Sequence, residues 1–278
     1  MTVNQKKCRC YLGSMMGNLR LRPISYLILA GLIVLSPLWG SGQKKAVTPS
    51  VDPKAMATLK SMSDALAGLD KFSYRVVNMR EDLTKSGHRV DYEVASRVTV
   101  DRPNKIKVVR QGHLVDQQVY YNGKTLTIYS PAKKIYSTVD VPDTIDGTVK
   151  LAREKLGIGY PGADLMYSDT FPLLTKGVTS ATLIGKEMIA GIRCDHLLFT
   201  LPGVDFQVWI ADRGDRLPFK YIVTDTGTPQ LLSVVAVFDS WDLLPKVSDA
   251  DFEFVAPSGG RALPLRTVDG KTVGPKKS

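Results

Sequence analysis

The chain has 278 residues, 44% hydrophobic and 23% charged, enough for one large β domain or two small ones with a proper core. Its formal charge of +10 is uneven: residues 1–45 hold seven Lys/Arg and no acid, and residues 261–278 hold five against Asp269. Residues 46–260 set 25 bases against 26 acids, so the folded part is neutral, and this argues against a basic groove for nucleic acid.

Lys6, Lys7, Arg9, Arg20 and Arg22 precede the apolar run Ile24 to Trp39, which ends in Gly40-Ser41-Gly42. A positive end, a short apolar stretch and small residues make residues 1–42 a secretory signal. The run is short for a membrane span of about 20 residues, and Pro37 lies near its end. Cleavage after Gly42 is expected; an uncleaved segment would be an N-terminal anchor in the inner membrane. Met15 or Met16 would begin a signal of ordinary length, a hypothetical start that recovery of Cys8 by N-terminal sequencing would refute. Cys8 and Cys10 fall in this segment and leave Cys194 alone, so no intramolecular disulfide is expected beyond it. No cysteine follows the apolar run to carry a lipid anchor.

Residues 43–52 read as a polar linker. Asp52 then Pro53 is an N-cap followed by proline at the first helical position. Met56, Leu59, Met62, Leu66 and Leu69 follow at spacings of three and four, one face of a helix. From Phe72 the period becomes two. Over 88–101, Val90, Tyr92, Val94, Val98 and Val100 point one way and charged residues the other, which predicts a strand with one dry face. Strands are expected at 104–111, 115–121, 124–130 and 133–140, linked by Arg102-Pro103-Asn104, Asn122-Gly123 and Ser130-Pro131.

An insert at 142–177 breaks the pattern: a helix from Thr144 to Leu156, a glycine loop at 157–162, and a second helical piece from Ala163 to Leu174. Strands resume at 179–189, 192–201, 204–212, 217–225 and 230–241, with a last short one at Phe252 and Phe254. Residues 258–278 lack periodicity and read as a disordered basic tail. The domain is thus 53–257, mainly β with α. Short links force neighbouring strands to pair, giving one large curved antiparallel sheet covered by the first helix and the insert.

Arg102-Pro103-Asn104-Lys105, Gly123-Lys124-Thr125-Leu126 with Tyr129 and Pro131, and Phe252-X-Phe254-X-X-Pro257 resemble, in order and spacing, elements of the periplasmic lipoprotein-carrier (LolA/LolB-like) superfamily. The chain is most similar to an uncharacterised exported family within it. The resemblance implies an unclosed β barrel with a helical lid, a periplasmic location, and a role for Arg102 in controlling the lid. It also implies an apolar cavity for a lipid, acyl chain or acylated protein, with transient membrane contact. The alternative is an envelope sensor or scaffold that binds a protein partner and uses lipid as a cue. By strand alternation, Val90, Tyr92, Val94 and Val98 are the candidate cavity residues, with Phe206, Val208 and Ile210 opposite.

Gly157-X-Gly159-X-X-Gly162 matches the dinucleotide fingerprint in letters only, because a helix precedes it and Pro161 interrupts it. These glycines read as a lid hinge. Cys194-Asp195-His196 suggests a nucleophile, but alternation sends Asp195 to the face opposite the other two. His88 and His113 lie in distant segments, so no metal site is expected. No G-x-S-x-G, H-E-x-x-H or P-loop occurs, and neither an enzyme nor a cofactor is expected.

Overall fold

The computed structural model describes residues 50–159 and 162–274; the expected signal, most of the linker and the last four residues lie outside them. Helix α1 (Pro53–Ala67) starts where the sequence predicts, with the Asp52 carboxylate accepting from the Lys54 amide at 2.8 Å. It is followed by β1 (Lys71–Leu83), β2 (Arg89–Asp101), β3 (Lys105–Gly112), β4 (Val115–Tyr121), β5 (Thr125–Ser130) and β6 (Ile135–Asp140). The insert holds α2 (Ile145–Glu154), a 3-10 turn at Ala163–Met166 and the short α3 (Phe171–Thr175). Then come β7 (Ser180–Ile189), β8 (Ile192–Leu201), β9 (Val204–Ala211), β10 (Pro218–Asp225) and β11 (Ser233–Asp242).

All of these strands join one unclosed sheet of twelve, in which consecutive strands pair antiparallel within β1 to β6 and within β7 to β11. The two meanders meet where β1 pairs with β11, so the first strand lies at the centre of the sheet. Local turn chemistry could not specify that join. It forms because both strands carry a dry face, and Tyr74, Val76 and Asn78 lie opposite Trp241, Phe238 and Ala236.

The covering elements lie over the concave face. Buried Leu59, Met62 and Leu66 of α1 pack toward β7, β8 and β9, each such side chain contributing about 1.5–3 kcal/mol on full burial. Ser63 ties α1 to the insert: its hydroxyl accepts from the Thr170 and Phe171 amides at 3.1 and 3.0 Å. On the other side of α1, Arg216 Nε donates to Ser61 Oγ at 3.2 Å while Arg216 Nη1 reaches Asp195 Oδ2 at 3.1 Å.

Three expectations need correction. Residues 50–52 are not free linker: Val51 bridges Ala181, and the Asp52 amide donates to the Ala181 carbonyl at 2.9 Å. Phe252 and Phe254 form no strand. Asp249–Phe252 is a 3-10 turn, and Phe254 packs among Tyr120, Tyr129 and Tyr136 on the convex face, with ring centroids 5.6, 5.4 and 4.9 Å away. A crossing over the convex face buries these aromatics without ladder hydrogen bonds.

The tail, expected to be disordered, is placed through residue 274. Strand β12 (Arg261–Ala262) runs parallel to β6 at the sheet edge, and β13 (Leu265–Arg266) pairs with β14 (Thr272–Val273). The intervening Val268 amide donates to the Lys155 carbonyl at 2.8 Å, just past the end of α2. The tail is a strap around the edge of the sheet. Its strands are two residues long, too short to leave a period in the sequence.

Candidate functional site

The strand registers fix which side chains share the concave face. One row runs Leu126, Tyr121, Ile106, Val100, Phe72, and the next Ile128, Val119, Val108, Val98, Tyr74, Trp241. Below them lies the polar stretch Gln117, Arg110, Ser96, which continues into Val76 and Phe238. The fourth row is Val115, Gly112, Val94, Asn78, Ala236, Tyr221, Val208, Leu197, and the fifth Tyr92, Arg80, Val234, Val223, Phe206, Phe199.

All seven candidate cavity residues therefore lie on this face, but in two environments. Val98, Phe206, Val208 and Ile210 are buried in the core, with Phe206 stacked on Phe199 at 4.6 Å. Val90, Tyr92 and Val94 are half-buried near the far end of β2, as are Val115, Val119, Val223 and Val234 on neighbouring strands.

Among the described residues, no open apolar slot is found between sheet and cover in this arrangement. The space there is about 10 Å³, between Met62, Leu165, Leu174, Val208, Pro218 and Tyr221, room for one water at most. Of the seven candidates only Val208 lines it. Aromatic bulk fills the remainder: Tyr74, Phe238 and Trp241 interlock with centroid separations of 4.9 to 5.7 Å. The sequence displays these rings without showing how far they reach across a curved face.

Arg102, just past the end of β2, holds the cover to the sheet. Its Nε donates to the Leu69 carbonyl at 3.1 Å, Nη1 to that of Met166 at 3.1 Å and Nη2 to that of Tyr167 at 3.0 Å. The guanidinium also lies 5.7 Å from the Phe72 ring, and burial lowers its pKa. Within the insert, Arg153 pairs with Asp164 at 2.9 Å and donates to the Tyr167 hydroxyl at 2.9 Å. Burial raises the Asp164 carboxyl above its ordinary range, against the pull of Arg153.

Gly157 and Gly162 adopt φ of +66° and +87°, which side chains tolerate poorly, whereas Gly159 is exposed and does not take such a φ. Tyr160 and Pro161 lie outside the described residues.

The Cys194 and His196 side chains point to the convex face, as alternation requires. Burial pushes the Cys194 thiol up to about 11, far from nucleophilic use near neutrality. His196 meets Glu187 through Nδ1 and Gln207 through Nε2, both at 2.9 Å, and stacks on Trp209 at 4.0 Å. Trp209 Nε1 donates to the other Glu187 oxygen at 2.9 Å. These groups hold one another, His196 and Trp209 sharing the Glu187 carboxylate.

One unclosed sheet with helices over its concave face is a covered half-barrel, the architecture that the sequence motifs imply. The chain belongs to the family described as "Predicted periplasmic protein (DUF2092)", which matches residues 55–265. No curated protein matches it. Among solved structures it is similar to an uncharacterized conserved protein from Thermus thermophilus (11% identity, 76% of this chain and 98% of that one, TM-score 0.44). It is also similar to a chain of the Pseudomonas aeruginosa MucA/MucB complex (16%, 79% and 74%, 0.40). A third is a LolA superfamily protein from Nitrosomonas europaea (13%, 72% and 97%, 0.38). Among the described residues, no helix is long and apolar enough to cross a membrane.

Proposed function

We propose that this protein is a periplasmic binding or carrier protein for a lipid, acyl chain or acylated protein, seen here in its closed form. The observation that supports this is the half-buried apolar strip of Val90, Tyr92, Val94 and Val115, which the polar row of Gln117, Arg110 and Ser96 divides from Val119, on the same face as the core and beside a cover that Arg102 ties to the sheet. The cover packs Leu165, Met166 and Leu174 into the core, and to that packing the three guanidinium hydrogen bonds add a polar tie that can break and re-form as the cover opens. Opening would extend the strip into the space above Val208 and Tyr221, and each methylene buried there is worth about 0.8 kcal/mol. In this reading Gly157, Gly159 and Gly162 serve as the hinge and Arg102 as the latch. The test is equilibrium binding of a fluorescent acyl probe by the intact protein and by Arg102→Leu. Saturable binding with faster release from the variant is expected; no binding by either would overturn the proposal.

The sheet edge supports the second reading, a protein partner. Residues 50–52 cover β7 only near Ala181, and Ile184 and Met188 beyond it are exposed. An open edge of this kind accepts an added strand. Pull-down of a partner by a protein that carries no lipid would favour that reading.

A further inference from the structure

We infer that the polar stretch across β1 to β4 is a headgroup site, and that the ligand is a single-chain amphiphile with an anionic head, a carboxylate or a phosphate. The inference rests on the binding reading above and names its ligand class. Asn78 and Ser96 are only 6% and 2% exposed, and Asn78 Oδ1 and Ser96 Oγ have no hydrogen-bond partner. Two such atoms on one face are an uncompensated cost unless something else satisfies them.

The register makes them neighbours: Ser96 pairs with Val76, two residues before Asn78, and on its other side with Arg110. Arg110 Nη1 donates to Gln117 Oε1 at 3.1 Å, which carries the polar stretch on to β4. A guanidinium thus stands beside two buried polar atoms, with Val98 on one side of Ser96 and Val94 on the other along β2, and an anion suits that setting. The Ser96 hydroxyl and the guanidinium donate, and the Asn78 amide turned by half a rotation presents Nδ2 where Oδ1 now stands. Immediately beside them lie Val94, Tyr92 and Val90, where a hydrocarbon tail would run. Head and tail are thus recognised within one continuous patch.

The test is calorimetric titration of the full chain with dodecanoate, dodecyl phosphate, dodecanol, acetate and inorganic phosphate. The two charged amphiphiles should bind at least tenfold tighter than dodecanol, about the size of one charge-assisted hydrogen bond. Acetate and phosphate should not bind measurably. Equal affinity for dodecanol and the charged amphiphiles would overturn the headgroup site while leaving the binding reading intact. Binding of acetate or phosphate as tight as that of the amphiphiles would overturn it in favour of a free-anion site. Failure of every chain-bearing probe would overturn both. Ser96→Ala and Arg110→Met should each weaken dodecanoate at least tenfold and leave dodecanol unchanged. If Arg110→Met fails to fold, Ser96→Ala, which removes one oxygen, decides alone, and unchanged dodecanoate binding would overturn the site.

Discussion

Arg102 Nη1 lies 3.1 Å from the carbonyl oxygen of Met166, a residue 64 positions later, and this bond spans the seam between sheet and cover. Together with the bonds to Leu69 and Tyr167, it satisfies three main-chain oxygens with one side chain. Removing the guanidinium leaves those oxygens without donors, at about 1–3 kcal/mol for each that stays buried. Arg102→Leu should nevertheless keep its β-sheet circular dichroism. Amide exchange over 163–175 should quicken at least tenfold, while that of β1 and β11 stays unchanged. Uniformly faster exchange across the sheet would show that Arg102 supports the whole fold rather than the cover.

The strap makes a separate contribution. Leu265 and Val273 pack against the core, and the Val268 amide caps the Lys155 carbonyl. Truncation after Pro257 should lower unfolding stability by about 1–3 kcal/mol, after allowing for the chain entropy released. It should also expose the amides at the α2 C-terminus to exchange. Denaturant titration alongside exchange measurement checks both, and an unchanged midpoint would mean the strap only rests on the edge.

Positions on one face should differ sharply in cost. Phe238 is fully buried between Tyr74 and Trp241, so Phe238→Ala should destabilise by about 3–5 kcal/mol. Tyr92 is half-buried, and Tyr92→Ala should cost about 1 kcal/mol or less. Urea unfolding of the two variants distinguishes packed core from open strip. Equal losses would mean that Tyr92 belongs to the core.

Cys194 supplies a pH-dependent prediction. Its thiol pKa is raised by burial to about 11, so the reactive thiolate is scarce in the folded state at pH 8. An unfolded cysteine titrates near 8.5, so between the two values the unfolded chain loses its proton first and ionisation favours the unfolded state. The stability this group contributes is therefore intact below about 8.5 and falls as pH rises toward 11. In a chain beginning at Gln43, where Cys194 is the only thiol, a disulfide reagent at pH 8 should react at least a hundredfold faster after denaturation. Comparable rates would show that the strand opens readily.

Much of the fold could be read from the residues. Asp52-Pro53 marks the start of α1, Thr144 caps α2, and the alternation from Val90 to Val100 assigns β2 to its dry face. Asn122-Gly123 makes its turn, with Gly123 at φ +89° and no room for a side chain beside Asn104. The second helical piece of the insert was less legible: it splits at Tyr167–Thr170 because Pro172 starts a new helix. The β1–β11 join and the strap depend on contacts between distant residues, and no local pattern encodes them. The polar stretch of Asn78, Ser96 and Arg110 was visible only as polar residues at dry-face positions. Its meaning needed the register.

The central claim is that an apolar or amphiphilic molecule enters between the concave sheet and its cover. Native mass spectrometry of the protein released from the periplasm under mild conditions tests this most directly. The account predicts a bound mass on the order of a few hundred daltons, the size of a single-chain amphiphile, that is lost on collisional activation and depleted in Arg102→Leu. A bare polypeptide mass in every preparation, unchanged after incubation with dodecanoate, would contradict it.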